Sequence, residues 1–304
     1  MMPPVLARLA LLAALVVPSL AHGGHVKSRD HTTERNGLKL ALYEKWKTGE
    51  EGKWKTNGKV VLLVHGATWS SYCTFDTLPG YSLMDALAED GWDVWAVDLH
   101  NYGASGKTDA DWTEAASAAN DLDTAADYIR ALRWVDKVDV FGYQWGAQVA
   151  ALFAEAHANK VARVALFGMR YKLYEPTNVP KEPSRKNSFS SALLKPEDGD
   201  LDPAVVKRRA EACSLHDVAS PNGALKDLGK GSSANPKKLS MPVLLLQGER
   251  DTDGEVLSDR LDYFKALGTK AKWFVVLAGL GRYAPLERGH ARFEKALLDF
   301  LDAP

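Results

Sequence analysis

The stretch KVDVFGYQWG, residues 137–146, is followed directly by AQVAALFAEAHA, residues 147–158. The first part is a short apolar run with β-branched residues, which is typical of a buried strand. Gly142 and Gly146 mark a turn, and the second part has apolar residues at helical spacing. Because strand, turn and helix in direct succession are the repeating unit of a parallel sheet, this stretch predicts an α/β fold.

Strands and helices alternate on both sides of this stretch. The predicted strands are residues 37–46, 59–66, 92–100, 161–168, 241–251 and 272–281, and further helices are predicted at 82–91, 111–134 and 292–301. Alternation of this kind predicts a mostly parallel, doubly wound sheet with helices on both faces.

The alternation is interrupted between about residues 170 and 238. Five prolines fall between Pro176 and Pro203, and the region is too long for a bare loop. One helix is predicted at 202–215, with Asp202 as its N-cap and Pro203 at its first position. We expect an inserted lid over a pocket, and a solvated excursion without a gating role is the alternative.

The first 21 residues have the three zones of a secretory signal peptide. Arg8 precedes an apolar run from Leu9 to Val17, and Ser19 and Ala21 supply small residues before a cleavage site. The run is too short for an ordinary transmembrane helix, and no later stretch is long and apolar enough. We expect a mature domain of residues 22–304, secreted or periplasmic. A helix of the folded domain is the alternative.

The composition is that of an ordinary globular protein, with 46% hydrophobic and 25% charged residues and a net charge of −1. The sequence contains no basic stripe with interleaved aromatic residues, so nothing in it indicates nucleic-acid binding. The two cysteines, Cys73 and Cys213, could form a disulfide in an oxidising compartment or remain buried thiols. We expect a small molecule as the partner, with no metal ion and no cofactor, and the sequence leaves the oligomeric state open.

The order of motifs resembles the α/β-hydrolase superfamily over nearly the whole chain after the leader. His65 and Gly66 follow the first long strand, as in the family's oxyanion loop. VDLHNYGASG, residues 97–106, is similar to the family segment D-x-R-G-x-G-x-S, with His100 and Asn101 in place of the usual Arg-Gly. GERD, residues 248–251, is similar to the loop of the triad acid, and GLGRYAPLE, residues 279–287, to the loop of the triad histidine. The resemblance therefore implies the α/β-hydrolase fold.

GYQWG, residues 142–146, stands where this superfamily has its nucleophile elbow, G-x-S-x-G. The resemblance then places Gln144 at the nucleophile position, Asp251 at the acid and Arg282 at the base. A delocalised amide cannot attack an ester, and a guanidinium with a pKa above about 12 cannot accept a proton near neutrality. Two of the three positions are therefore unsuitable for acyl transfer, and we expect only residual hydrolysis.

The same positions are suited to binding an oxygen atom. Gln144 has a donor and an acceptor, and Arg282 beside Asp251 either binds an anionic or carbonyl oxygen or plugs the old site as a salt bridge. The backbone N–H groups of Ala67 and Trp145 are candidates for an oxyanion hole. The aromatic residues that could wall the pocket, or belong to the core, are Trp69, Tyr72, Tyr143 and Trp145.

A displaced catalytic group is the alternative to a lost one. Ser70, Ser71 and Cys73 lie in the loop that should border the pocket, but no base is identifiable for them. His290 is about two helical turns beyond the base position, which favours a place on a helix face. His100 follows a strand end and is interpreted as a hydrogen-bonded loop histidine.

Three functions remain open. The first is a non-hydrolytic protein that binds a small, largely apolar molecule carrying a carbonyl or carboxylate, or that catalyses a cofactor-free cyclisation, isomerisation or elimination. The second is an esterase- or lipase-like hydrolase with an unrecognised nucleophile, which a histidine within reach of Ser70 or Cys73 would favour. The third and weaker one is a pseudoenzyme that presents a protein-binding surface, which a collapsed pocket would favour.

Overall fold

The computed structural model describes residues 25–110, 112–172, 180–228, 234–251 and 256–304. The predicted leader and two short parts of the predicted lid lie outside the described residues. The strands within these ranges are β1 (Val26–Arg35), β2 (Leu38–Lys47), β3 (Val60–Val64), β4 (Asp93–Asp98), β5 (Val138–Tyr143), β6 (Val161–Phe167), β7 (Ser184–Lys186), β8 (Ala219–Pro221), β9 (Val243–Gly248) and β10 (Lys272–Leu277).

Helices connect most of these strands. They are α1 (Trp54–Asn57), α2 (Ser71–Phe75), α3 (Leu83–Glu89), α4 (Ala115–Arg133), α5 (Trp145–Ala156), α6 (Phe189–Ala192), α7 (Pro203–His216), α8 (Gly223–Leu228), α9 (Val256–Ala266) and α10 (His290–Leu301). Single 3-10 turns lie at Pro196–Asp198, Pro236–Lys238 and Ala284–Leu286. No helix of the described ranges has both the length and the apolar character needed to cross a membrane.

Eight strands form one sheet in the order β1-β2-β4-β3-β5-β6-β9-β10. β1 and β2 are an antiparallel hairpin at one edge, and β2 is also antiparallel to β4. Every neighbouring pair from β4 to β10 is parallel. The predicted mostly parallel sheet with helices on both faces is therefore confirmed, and every predicted strand and helix has a counterpart in it.

The two faces of the sheet carry separate cores. Leu62 and Val140 face the core in which α4 and α5 pack, while Leu63 and Phe141 face the core of α3 and α10. Every residue of β3 and β5 is buried. Coverage on both faces explains why these strands are continuous apolar runs rather than alternating ones.

One helix begins later than the sequence predicted, and one edge strand was not predicted. The helix predicted at 111–134 begins at Ala115, because Thr113 has a positive φ of 60° and its buried hydroxyl donates to the carbonyl of His100. The predicted strand 37–46 is the second strand of the edge hairpin. Its partner β1 was not predicted, because β1 is mostly exposed and has no apolar alternation.

The chain between β6 and β9 adds α6, α7, α8 and the small antiparallel β7–β8 sheet. Helix α7 begins as predicted, with Pro203 in the first turn and the Asp202 side chain accepting from the N–H of Ala204. The helix contacts α2, and the side chain of Asp217 just after it accepts from the N–H of Ser70 at 2.7 Å. This segment therefore lies against the loop after β3, and its predicted role as a lid stays a prediction.

Candidate active site

The turn after β5 has the strained backbone of a nucleophile elbow. Gln144 has φ 52° and ψ −114°, a combination that a residue with a Cβ rarely adopts. Its N–H donates to the carbonyl of Phe167 at 2.7 Å, and its carbonyl accepts from the N–H of Ala147 at 3.0 Å. Strain of this kind persists only where the surrounding structure imposes it.

The two glycines of the elbow allow direct contact between backbones. A Cβ on Gly142 would lie 2.5 Å from Cα of Ala147, and a Cβ on Gly146 would lie 2.3 Å from the carbonyl oxygen of His65. Neither position has room for a side chain. The G-x-x-x-G spacing is therefore a packing requirement that holds whatever residue stands in the middle.

The side chain of Gln144 takes part in a ring of hydrogen bonds at the elbow. Its Nε2 donates to the hydroxyl of Tyr143 at 3.0 Å and to the backbone carbonyl of Arg282 at 3.4 Å. The Tyr143 hydroxyl in turn donates to the same carbonyl at 3.1 Å. Burial raises the pKa of Tyr143 well above its usual range, so this hydroxyl remains a donor.

Asp251 and Arg282 face each other beside this ring. Arg282 Nε lies 3.4 Å from Asp251 Oδ1, and Asp251 Oδ2 accepts from the side chain of Gln247 at 3.1 Å. Gly168 lies between the positions, since a Cβ there would be 3.6 Å from Cγ of Gln144 and 3.8 Å from Oδ2 of Asp251. The structure thus brings the three triad positions together, with one long ion-pair contact in place of a two-bond fork.

The loop that carries Arg282 is anchored by a buried carboxylate. Glu287 is fully buried, and its Oε1 accepts from the N–H of Gly281 at 2.8 Å. Its Oε2 accepts from the N–H of Asp200 at 3.3 Å, in the segment between β6 and β9. The glutamate at the end of GLGRYAPLE therefore fixes the base-position loop and attaches it to that segment.

The two predicted oxyanion donors lie in a hydrogen-bonded loop and at the start of a helix. The carbonyl of Ala67 accepts from the Tyr102 hydroxyl at 2.8 Å and from Arg185 Nη2 at 3.2 Å, which fixes its loop. Trp145 is the first residue of α5, where backbone N–H groups have no partner within the helix. A Cβ on Gly66 would lie 3.7 Å from Oε1 of Gln144, so the amide oxygen of Gln144 faces the loop of Ala67.

The aromatic candidates divide between core and site. The Trp145 side chain is 4% exposed and donates from its indole to Asp227 at 2.9 Å, so it is a core residue and not a pocket wall. Trp69, in the loop after β3, and Tyr72, in α2, are half-buried. Of the four, Tyr143 alone has its polar group in the hydrogen-bond ring of the elbow.

Arg209, which the sequence analysis did not single out, lies on α7 and is 5% exposed. Its guanidinium carbon is 5.6 Å from the centre of the Trp69 ring. Two of its nitrogens, Nε and Nη1, are buried and have no hydrogen-bond partner among the described residues. Its positive charge acts on the hydroxyls of Tyr143 and Tyr283, opposing the rise that burial causes in both pKa values.

A helical pattern was the signal that could have identified Arg209. The buried positions of α7 are Val205, Val206, Arg209, Ala210 and Cys213. This spacing is that of one helix face, so the arginine lies in register with the apolar positions. A charged residue on a buried helix face calls for an explanation. The helical spacing of the apolar residues in DPAVVKRRAEACSL shows that Arg209 lies on such a face.

Ser70 lies near a histidine that the sequence analysis did not single out. Ser70 Oγ is 3.5 Å from Nδ1 of His216, and the same Nδ1 is 2.9 Å from Oδ1 of Asp217. A triad histidine uses opposite ring nitrogens for the acid and the nucleophile. Here one nitrogen faces both, hydrogen bonding to Asp217 raises the pKa of His216, and Ser70 is fully buried. The geometry does not present Ser70 as an activated nucleophile.

The two cysteines are brought together beside this group. Both are buried free thiols, and Cys213 Sγ lies 4.0 Å from the carbonyl oxygen of Cys73. Hydrogen bonding between the thiols lowers the pKa of Cys213, while burial raises that of Cys73. One donor atom each from Cys73, His216 and Asp217 lie within 4.8 Å of one another, close enough for one metal ion. Both oxygens of Asp217, however, already accept hydrogen bonds, from Ser70 N–H and His216.

The other residues considered as displaced catalytic groups have structural contacts. His100 is fully buried, with Nδ1 2.5 Å from the carboxylate of Asp121. His290 begins α10, and its Nδ1 is 2.9 Å from the carbonyl of Glu287. Ser71 donates from its hydroxyl to the carbonyl of Val97 at 2.7 Å. These contacts account for each residue without a catalytic role.

A separate groove of about 250 Å³ lies between the loop after β4 and β8. Lys107, His216 and Val218 are among the residues that line it, whereas Gln144, Asp251 and Arg282 are not. Of the groups described above, it adjoins the Ser70 and His216 pair rather than the elbow.

Comparison with known proteins identifies the class. The family model described as serine aminopeptidase, S33, matches residues 55–280, a range that includes Gln144 and Asp251. The chain therefore belongs to this family of α/β-hydrolases, and the predicted resemblance is confirmed. A search of curated protein sequences found no significant match.

Solved structures of hydrolases share the fold. An esterase from Thermogutta terrifontis, solved with malate bound, is 20% identical with a TM-score of 0.65, covering 89% of this chain and 96% of its own. A probable hydrolytic enzyme from Pseudomonas aeruginosa is 18% identical with a TM-score of 0.65, covering 91% and 94%. An epoxide hydrolase from Vigna radiata is 15% identical with a TM-score of 0.61, covering 90% and 98%. These identities establish the fold alone.

Proposed function

We propose that this member of a hydrolase family does not hydrolyse esters, and that its elbow binds a small molecule through a carbonyl or carboxylate oxygen. The observation that carries the proposal is Gln144 in the strained elbow conformation, with Arg282 opposite Asp251. Neither residue can do what the serine and histidine of a triad do. Loss of either group alone costs about 10⁶ in turnover in a serine protease.

The groups at the elbow suit recognition of an oxygen atom. The Gln144 carboxamide offers both a donor and an acceptor, and the helix N-terminus at Trp145 favours negative charge. Arg282, 30% exposed in its side chain, adds positive charge at the edge of the site. These features support a ligand that carries a carbonyl or a carboxylate.

A proton-moving reaction, such as a cyclisation, isomerisation or elimination, is a less favoured use of the same site. Such a step needs a group that titrates near the working pH. Burial raises the pKa of the Tyr143 hydroxyl far above neutrality, and an amide and a guanidinium do not exchange protons there. Binding without chemistry is therefore the function that these groups support best.

A hydrolase with a displaced nucleophile is the second candidate, favoured by the 3.5 Å approach of Ser70 Oγ to His216. Its weakness is that the facing nitrogen of His216 also pairs with Asp217. We further propose export from the cell, which rests on the charged, apolar and small-residue zones of residues 1–21.

A fluorophosphonate probe distinguishes the two candidates. The purified protein is incubated with the probe and assayed with p-nitrophenyl acetate and butyrate, beside a Ser70→Ala variant. We expect no stoichiometric labelling and the same background turnover in both proteins. Labelling of one serine, together with turnover that Ser70→Ala removes, would establish the displaced hydrolase in place of the binding protein.

A further inference from the structure

We propose that Arg209 is the anion-binding residue of this site, and that its ligand is a small monocarboxylate with a flat apolar body. This inference rests on the proposed function, because it concerns the ligand of the elbow site. It adds a residue on α7 to the groups on the sheet edge. It also narrows the ligand from any oxygen-bearing molecule to a negatively charged one.

The guanidinium of Arg209 lies beside an aromatic ring. Arg209 lies against the ring of Trp69, in the loop after β3. Its charge opposes the rise that burial causes in the pKa values of Tyr143, on the elbow, and Tyr283, on the base-position loop. The guanidinium therefore lies beside the Trp69 ring, and its charge favours the ionised forms of the two tyrosine hydroxyls.

Two hydrogen-bond donors of Arg209 are unused within the described part of the chain. Nε and Nη1 are buried without a partner among the described residues. A buried donor that finds no acceptor costs free energy, and a buried charge without a counter-charge costs more. The face of Trp69 attracts a cation, but it accepts none of the directed hydrogen bonds that a guanidinium offers.

Among the described residues, Arg209 forms no ion pair with either of two carboxylates, Asp217 and Asp251. Asp217 accepts from Ser70 N–H and pairs with His216. Asp251 pairs with Arg282 and accepts from Gln247. The acceptor that completes Arg209 is therefore expected from a ligand.

The chemistry of the surroundings selects the ligand class. One buried guanidinium balances one negative charge, and a planar carboxylate matches its planar donors. The aromatic ring of Trp69 favours a flat apolar body next to that charge. A dianion such as a phosphate monoester would carry a second negative charge that Arg209 alone does not balance.

Ligand-free stability gives the first test. Arg209→Met keeps the apolar stem and removes the charge, and Arg208→Met, on the exposed face of the same helix, is the matched control. If Arg209 is unpaired until an anion binds, thermal unfolding of Arg209→Met occurs at a higher temperature than in the parent protein, by about 2–4 °C. Arg208→Met should match the parent. A lower unfolding temperature in Arg209→Met would mean that the arginine stabilises the fold, which overturns the proposal.

Ligand preference gives the second test, with 2-naphthoate and its neutral analogue 2-naphthamide as probes. In a titration followed by tryptophan fluorescence, the parent protein and Arg208→Met should bind the carboxylate about tenfold to a hundredfold more tightly than the amide, the value of a charge-assisted hydrogen bond. Arg209→Met should lose this preference, and Arg209→Lys should retain part of it.

The outcomes separate this inference from the proposed function. Equal affinity for the two probes in the parent protein overturns the role of Arg209 and leaves a non-hydrolytic binding site in place. Failure of both probes to bind overturns the ligand class. A carboxylate preference that depends on Arg209, in a protein that also reacts with a fluorophosphonate, supports Arg209 and contradicts the proposed function instead.

Discussion

The side-chain amide of Gln144 donates a hydrogen bond to the backbone carbonyl of Arg282 over 3.4 Å. In a working triad the side chains at these two positions are hydrogen-bonded to each other, with the serine hydroxyl donating to the imidazole. Here the link runs from a side chain to the main chain, and the Arg282 side chain is directed to Asp251 instead. The three triad positions are kept together, but the side chain at position 282 cannot accept a proton from position 144.

Placing a serine at position 144 and a histidine at position 282 should restore hydrolysis. Gln144→Ser alone is expected to remain inert, because no base is in place for the new hydroxyl. Gln144→Ser combined with Arg282→His is expected to turn over p-nitrophenyl acetate and butyrate above the parent, since Asp251 can orient the new imidazole. The measurement is initial rate on purified proteins.

The single and double variants control each other in this experiment. If Gln144→Ser alone is as fast as the double variant, another base serves the elbow and the assignment of Arg282 to the base position is wrong. Arg282→His without the serine is the matched control for imidazole-catalysed background hydrolysis.

Gly146→Ala should destabilise the protein strongly. A Cβ at this position would lie 2.3 Å from the carbonyl oxygen of His65, where rigid backbone must move. We expect a loss of about 3 kcal/mol in the free energy of unfolding, at the upper end of overpacking. Gly66→Ala is the control, because its nearest contact would be an ordinary 3.4 Å to the Tyr143 ring, and it should cost less than about 1 kcal/mol. Chemical denaturation measures both, and equal losses would contradict the packing argument.

Asp139 should make stability depend on pH. It is fully buried, its nearest cation is Arg163 at 3.5 Å, and burial raises its pKa to about 7. Because this value is above the unfolded pKa of about 3.9, the folded protein holds the extra proton between about pH 4 and 7. The free energy of unfolding therefore falls as pH rises through that window and stays lower above it.

The variant Asp139→Asn should remove this penalty. We expect it to be more stable than the parent at pH 8, by on the order of 2–4 kcal/mol, and close to the parent near pH 4. Urea denaturation at several pH values measures the difference. Asp299→Asn, at an exposed position, is the control and should follow the parent throughout. A parent and Asp139→Asn with parallel pH profiles would show that Asp139 does not titrate in this range.

The leader should be removed on export. Processing after Ala21 gives a mature chain that begins at His22. Expression of the full sequence in a bacterial host, followed by fractionation and N-terminal sequencing, measures this. Intact Met1 on protein from the soluble cell interior would count against export, and a version lacking residues 2–21 is the control for retention.

The sheet was predictable because its strands are buried on both faces. Every residue of β3, β4 and β5 is buried, and the run VVLLV of β3 is apolar throughout. The edge strand β1 was missed for the opposite reason, since its exposed residues carry no apolar pattern. Helix α9 was missed as well, although Leu257, Leu261 and Phe264 are spaced as on a helix face.

Only the site residues that belong to sequence motifs could be predicted. Gln144, Asp251 and Arg282 stand at the ends of strands whose order fixes where those ends meet. Arg209 and His216 come from α7, whose placement depends on contacts between distant segments, such as that of Asp217 with Ser70. No local pattern encodes such a contact, so the neighbours contributed by this segment were not found from the sequence.

The elbow has a consequence for protein engineering. Its backbone is held by Gly142, Gly146 and the hydrogen bond to Phe167, none of which involves the side chain at position 144. Any residue substituted there is presented at one fixed point in one fixed direction. The chain is therefore a scaffold in which a serine, a cysteine or an aspartate can be introduced singly at position 144. The reactivity of each can then be compared on the same backbone.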